Sequence, residues 1–540
     1  MKKYNISQTW VHNVLKILRK VRLRAASFHI KHAVFRSKYK FNPIVIFFFG
    51  LLCAVFFTTR LQQIGEIPPS VYWDEASIGY NAYSIGINGR DEWGDFLPIH
   101  FRAFGEFKLP VYIYSVVPFV KALGLTETSI RLPAVLYSFG VVVLLFFILK
   151  KITKSNYAGL FASFYLTFSP GFFIFTRVGY EATAGVFFLL FGFLLSLFYK
   201  KGYKTLILST FSYILAIYSY NSMRVIVPML ALVQWFYFYK NGYSMRKILL
   251  LFILLGMSVI PIARLFLFDF GGSRFLAVGD AGFLKIISNY VSHFDPSYLF
   301  NGDINPRSTL PGFGVLWDFD IYLLLIGIYV TLKAKNYKYL MIAVLFLLSF
   351  VPAALTKEAP HALRSILSFP LIAALWAIGM NFVRRRVSRG YIISAIFIFL
   401  VLFSFEKYIN NFSSSYRNDY SEHWQYAYKE VFTNYSDDFA KYDKIVVSDK
   451  FSQPYIFALF YMRYDPDLFR STVEFNNANK WGESLVRKFG KFEFKNIEQS
   501  DFENGNIVFA SESERQDKEE SAKVYFLNGQ AALYVYDEGK

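Results

Sequence analysis

Cysteine is all but missing from this 540-residue chain: Cys53 stands alone inside an apolar run, which excludes a disulfide-stapled scaffold and a cysteine-based metal centre. Acid is scarce at the start as well, since Glu66 is the first carboxylate and 11 Lys or Arg residues fall in the first 40. There is no low-complexity tract and no repeat of solenoid length. No P-loop and no Gly-x-Gly-x-x-Gly in a strand-to-helix setting is found, so nothing marks a nucleotide site. Only 18% of residues are charged, whereas 54% are hydrophobic and 20% aromatic, with 62 Phe and 39 Tyr. At a mean hydropathy of +0.32, disorder is excluded and the composition is that of a membrane protein.

A net charge of +19 would ordinarily raise nucleic acid as a partner. Its distribution removes that reading. From Glu406 onward there are 23 acidic and 17 basic residues, while the preceding part holds 41 basic against 16 acidic, so the positive charge belongs to the apolar region. Residues 1–42 read as a basic cytoplasmic segment, too long for the n-region of a signal peptide and without a small-residue cleavage site after it. Apolar runs at 43–59, 131–149, 157–176, 182–199, 205–220, 223–239, 248–267, 320–333, 338–355, 364–382 and 390–405 are read as spans.

Eleven spans with the N-terminus inside place all five basic clusters on the cytoplasmic side: Lys150 to Lys154, Lys200 to Lys204, Lys240 to Lys247, Lys333 to Lys338 and Arg384 to Arg389. A further run, 109–124, would invert every later loop if it crossed, so it is laid along the interface. The expected fold is thus a polytopic α-helical membrane domain over 43–405, with loops 60–108 and 268–319 outside, and an extracytoplasmic α/β domain over 406–540. In that tail Lys444–Asp449, Asn506–Ala510, Val524–Leu527 and Leu533–Tyr536 read as strands, with Asn528-Gly529 as a hairpin turn and helices near 421–433 and 454–463. A bacterial cell membrane suits the Lys, Asn, Phe and Ile content.

The chemistry concentrates between Pro68 and Pro133. Trp73-Asp74-Glu75-Ala76 opens a helical stretch with Ile78, Ala82 and Ile85 on one face, and Asn88-Gly89 turns into Asp91-Glu92-Trp93-Gly94-Asp95. Asp74 precedes the first turn, where the helix dipole favours an ionised carboxylate. Spacing alone leaves two readings for it, a plain N-cap or a general base, and Asp91, Glu92 and Asp95 equally suit a solvated turn. The loop 268–319 is too long for a connector. It reads as the cover of a pocket or as a cap packed on the tail.

The ordered set WDEASIGYNAYSIGINGRDEWGDFLPIHF, then Glu106-Phe107-Lys108-Leu109-Pro110, then Arg131-Leu132-Pro133, resembles the first outer loop of polyprenyl-phosphate-dependent glycosyltransferases of the GT-C class. Protein O-mannosyltransferases and lipid A aminoarabinose transferases are the relatives in question. Arg177 with Glu181, Tyr220-Asn221-Ser222-Met223-Arg224 and His361-Ala362-Leu363-Arg364 resemble further outer-loop motifs, so the likeness covers 43–405 and stops before the tail. Two departures are Leu109 after Lys108, where many relatives have Pro, and Glu181, where many have Asp.

What the resemblance implies is a sugar donor on a polyprenyl phosphate, an acceptor that is protein, lipid or polysaccharide, and an inverting transfer. Asp74, with Glu75 and Glu181, would be catalytic, Asp74 as base. Lys108, Arg224 and Arg364 would bind the donor phosphate. Asp91, Glu92, Glu106, Arg177, Tyr220, Asn221 and His361 would bind sugar or acceptor. No cofactor is required, and a divalent ion at Glu106 and Glu181 is left open. Local readings remain beside these: His361 as a capping residue and Arg177 as an interfacial snorkelling side chain. A glycan ligase using a diphosphate-linked oligosaccharide shares the fold, whereas a transporter would need ionisable groups at mid-membrane and a repeat between halves, which are not found. A periplasm-active reporter joined after Lys540 is expected to be active, and a signal from a cytoplasm-only reporter would overturn the eleven-span count.

Overall fold

The computed structural model describes residues 42–104, 106–268, 279, 282–476 and 486–539. The basic segment before Asn42 and part of the loop 268–319 lie outside the described residues. The chain divides at Leu51/Leu52 into two compact units. The described part of the first is the opening of the helix Pro43–Leu61, and the second carries the rest of that helix and every later element.

Each expected span carries a helix, and the run expected at the interface forms the 14-residue helix Pro110–Leu123. Among the described residues six helices are long and apolar enough to cross a membrane, or seven if the pair Asn156–Thr167 and Pro170–Thr176, bent by 68°, counts as one. The bend falls where Pro170 cannot donate a helical hydrogen bond. Ala182–Ser196, Tyr203–Ile217 and Asp320–Lys333, at 15, 15 and 14 residues, are shorter than the roughly 17–25 residues a crossing helix needs; the first two also fall short of the expected runs 182–199 and 205–220, while the third matches 320–333. Basic residues close several helices, among them Lys150 and Lys151, Lys240, Lys333 and Arg384 to Arg386, where they complement the negative end of the dipole. Asp320–Lys333 and Ser368–Arg386 pack backbone to backbone: a Cβ on Gly327 would lie 2.0 Å from the Leu375 carbonyl, and one on Gly379 would lie 2.1 Å from that of Leu323. Only glycine permits that approach.

The tail folds into a seven-stranded mixed sheet in the order Glu474–Phe475, Val486–Phe489, Phe492–Lys495, Lys444–Ser448, Asn506–Ala510, Ala531–Asp537 and Ala522–Tyr525. Lys444–Ser448 is central and parallel to both neighbours, which explains its unbroken Ile-Val-Val run, since a strand covered on both faces has no polar side.

This sheet domain does not stand apart. Ile78, Ala82 and Ile85 of the helix Trp73–Asn88 share one hydrophobic core with Tyr455, Phe457 and Phe460 of the tail. A Cβ on Gly79 would meet Phe460 at 2.8 Å and Ile130 at 2.6 Å, so side chains of the tail and of the membrane part close on one face of the helix at a glycine. Polar contacts run beside the core: Lys429 donates to Glu127 and to the Pro69 carbonyl, and Arg470 donates to the Asp91 carbonyl.

Between the first helix and Trp73 the backbone is irregular, and buried arginines take up its carbonyls. Arg177 donates to Thr59, Arg60, Gln62 and Ile67. Arg131 donates to Ile64, Pro68 and Ser70 and directs its remaining N–H groups to Glu75, at 3.1 and 3.2 Å. Arg131 and Glu75 are wholly buried, and Glu75 also accepts from the Gly179 amide at 2.7 Å. Breaking one side of a buried pair costs about 3–5 kcal/mol because the remaining charge is stranded. Glu75→Ala is therefore expected to lower the thermal unfolding midpoint strongly in detergent, and an unchanged midpoint would refute the clamp.

Candidate functional site

The helix Trp73–Asn88 begins two residues earlier than an N-cap at Asp74 would place it: Tyr72 is the N-cap, without a side-chain cap, and Asp74 sits inside the first turn. Successive helical residues point about 100° apart. Glu75 therefore turns into the protein and Asp74 turns to a cavity of about 510 Å³. The Asp74 carboxylate accepts from the Tyr72 hydroxyl, from Trp73 Nε1 at 3.2 Å and from Lys108 Nζ. Lys108 arrives by a two-strand hairpin, Phe101–Ala103 against Glu106–Lys108, and is itself buried.

Further polar groups of the cavity come from helix ends. Tyr180 and Glu181 precede the helix Ala182–Ser196, and Tyr220, Asn221 and Arg224 open the helix Asn221–Lys240. Asn221 and Arg224, three apart, share a face. The starts of both helices line the cavity, so it receives the positive ends of two dipoles. Val225, Leu265, Phe266, Pro352, Leu355 and Leu363 form an apolar wall. Against that wall, Arg224 lies 5.8 Å from the Phe266 ring centroid. Its Nε and Nη2 are buried without an acceptor among the described residues.

His361 and Arg364 complete the lining. Arg364 donates to Thr356 Oγ1 at 2.8 Å and to Glu358 at 3.0 Å. The His361 amide donates to Nε2 of buried His293, and the Ala362 amide to Asp303 at 3.0 Å. His293 Nδ1 faces the Asn289 carbonyl at 2.9 Å, which assigns the proton to Nδ1 and leaves Nε2 as acceptor. The loop 268–319, expected to cover the pocket, therefore braces the His361–Arg364 segment, and none of its described residues lines the cavity.

Of the residues singled out from sequence, Asp74, Lys108, Glu181, Tyr220, Asn221, Arg224, His361 and Arg364 meet in this cavity. Glu75 and Arg177 lie behind it in the carbonyl clamp. Asp91 and Glu92 face the tail. Glu106 belongs to the hairpin strand, and its side chain lies outside the described residues. Sequence reasoning missed Tyr72, Tyr180, Ser222 and Thr356. Tyr72 alone carried a hint, two residues before the acid it binds. Among the described residues no group of three or more His, Cys, Asp or Glu is arranged to hold a metal ion, so no step is derived through one.

The fold is that of a multi-pass helical membrane protein, as expected from the resemblance, with a C-terminal sheet domain. No family model matches the chain, and no curated protein matches it in sequence. Among solved structures it is similar to ArnT from Cupriavidus metallidurans. The apo form matches at a TM-score of 0.55 and 10% identity, over 92% of this chain and 98% of that one. The form bound to undecaprenyl phosphate matches at 0.57 and 10%, over 91% and 97%.

Glu92 accepts from Asn81 Nδ2 at 2.9 Å and from Tyr455 of the tail at 3.4 Å. Burial, and then the adjacent Asp91, push its carboxyl well above the usual range. A raised folded value means that the unfolded chain sheds this proton first. Stability is therefore full below the ordinary value of about 4.3 and falls as pH rises from there toward the folded value. Glu92→Gln is expected to flatten that decline, so the midpoint difference between variant and wild type should grow as pH rises above the ordinary carboxyl value of about 4.3 in thermal unfolding. A constant difference would contradict the assignment.

Proposed function

We propose that the protein is a glycosyltransferase that moves a monosaccharide from a polyprenyl-phosphate donor to an acceptor hydroxyl at the extracytoplasmic face of a bacterial cell membrane. One observation carries the reading: a guanidinium with unaccepted buried N–H groups, that of Arg224, lies against the Phe266 ring of the apolar wall in the same cavity that the Asp74–Lys108 pair lines. An anion on an apolar chain is the ligand that satisfies both. The ArnT structure with undecaprenyl phosphate bound supports that ligand class. The five Lys/Arg clusters, which fall on one side if there are eleven spans, support the sidedness.

In this reading Asp74 takes the proton of the acceptor hydroxyl as its oxygen bonds to the anomeric carbon. The carbon–oxygen bond to phosphate breaks, and its electron pair leaves on the polyprenyl phosphate. One displacement inverts the anomeric centre and needs one carboxylate. Lys108, Arg224 and Arg364 stabilise the charge gathering on the phosphate, and Glu181, with Tyr220, Asn221 and His361, orients sugar or acceptor. The lining carries three cations against the two carboxylates Asp74 and Glu181. That balance suits the single negative charge of a monophosphate diester better than a diphosphate-linked oligosaccharide.

Purified protein supplied with labelled polyprenyl-phosphate monosaccharides and a panel of acceptors is expected to transfer label. Asp74→Asn should lose about 10²- to 10⁴-fold in rate, the range of a general base. Arg224→Met should weaken donor binding. Full transfer by Asp74→Asn would sink the base assignment, and transfer from diphosphate-linked oligosaccharides alone would replace the donor.

A further inference from the structure

We infer that Gln425, a residue of the C-terminal tail outside the cavity, is a positioning residue for Asp74, which makes the soluble domain a working part of the site. The inference rests on Asp74 acting as proposed above.

A helix leaves its first N–H groups without internal partners, and a side chain normally caps them. The helix carrying Asp74 has no such cap of its own, because its N-cap is Tyr72, whose hydroxyl is turned to Asp74 instead. The acceptor comes from 352 residues away: Gln425 Oε1 receives the Trp73 amide at 3.1 Å. Gln425 is held for this task. Its Nε2 donates to the Phe451 carbonyl and, at 2.9 Å, to that of Ser452. Its side chain is buried, and its backbone lies in the left-handed region at φ +54°, a conformation costly to a non-glycine residue and kept only where the surroundings enforce it.

The neighbouring contacts extend the same grip. Ser70 Oγ donates to the Trp424 carbonyl, the Val71 amide donates to Tyr461 Oη at 3.3 Å, and the Tyr72 ring stands edge-on to Trp424 with centroids 6.0 Å apart. Each residue from Ser70 to Trp73 thus touches the tail immediately before Asp74. Two of them, Tyr72 and Trp73, then bind the Asp74 carboxylate themselves. A lost cap would let the first turn fray and would shift this carboxylate, and displacements of about 1 Å at a reacting group cost on the order of 10²-fold in rate.

The test compares full-length wild type with Gln425→Met, which fills the space without accepting from Trp73, and with Gln425→Glu, whose protonated form keeps both the acceptor and one donor. Amide exchange over residues 70–76 should rise in Gln425→Met while the cavity helix from Asn221 is unchanged. Its kcat should fall about tenfold to hundredfold with donor KM within about twofold. Gln425→Glu should regain activity relative to wild type as pH is lowered. Unchanged exchange overturns the inference whatever the activity. Raised exchange with full kcat overturns it too, as does a loss shared equally by kcat, donor binding and unfolding midpoint, which would mark a merely structural residue. If wild type transfers no sugar, or Asp74→Asn transfers it fully, the functional reading fails, while exchange at 70–76 still reports whether Gln425 holds the segment.

Discussion

The structure depends first on how buried guanidinium groups dispose of their charge. Arg60, Arg131 and Arg177 are almost wholly buried, yet only Arg131 has a carboxylate partner, Glu75, among the described residues. Desolvating such groups is expensive unless every N–H finds an acceptor. For Arg131 and Arg177 the acceptors are chiefly main-chain carbonyls, seven of them between Thr59 and Ser70, while Arg60 donates to the Thr59 and Thr176 hydroxyls and the Thr167 carbonyl and Arg177 Nε has no acceptor among the described residues. Cost and constraint are the same fact: charges that must be solvated by backbone fix that backbone. The segment they fix delivers the helix whose first turn bears Asp74. In the Asp74-Glu75 pair the labour is divided by helical geometry, one carboxylate anchoring the fold and the other facing the cavity.

A second constraint comes from the tail. The α/β domain presses a shared core onto the helix Trp73–Asn88 and takes the amide at its start. The cavity's other walls are set by helix ends that converge on it and by a loop whose His293 and Asp303 hold the His361–Ala362 backbone. Helix ends, the hairpin strand and the braced His361–Arg364 segment therefore carry polar groups of the site, and apolar surface comes from two further segments, at Leu265–Phe266 and Pro352–Leu355. An anionic headgroup on a long apolar chain matches this pairing of charge and grease, which is the physical basis of the proposed donor.

Much of this was legible in the chain. Long apolar runs located the helices, and short β-branched apolar runs located Lys444–Ser448 and Asn506–Ala510. Eight of the residues marked for chemistry meet in one cavity because their motifs sit at helix boundaries, where spacing is informative. What stayed hidden depends on distant contacts. Asp91 and Glu92 look like a solvated turn until Arg470 and Tyr455 of the tail reach them. Arg177 looks like an interfacial side chain until the loop carbonyls close around it. Tyr72 and Tyr180 are two tyrosines among 39, and Gln425 carries no local signature, since its partner is an amide that any residue at position 73 other than proline would present. Span number was the least legible, because several helices are shorter than a bilayer requires and one is broken at Pro170.

The central claim is that the Arg224 end of the cavity takes the phosphate of a polyprenyl donor beside Asp74. Its most direct measurement is an experimental structure with polyprenyl phosphate added. Phosphate density is expected against the Arg224 guanidinium, with the isoprenoid chain along Leu265 and Phe266. Phosphate density elsewhere, with this cavity empty, would contradict it.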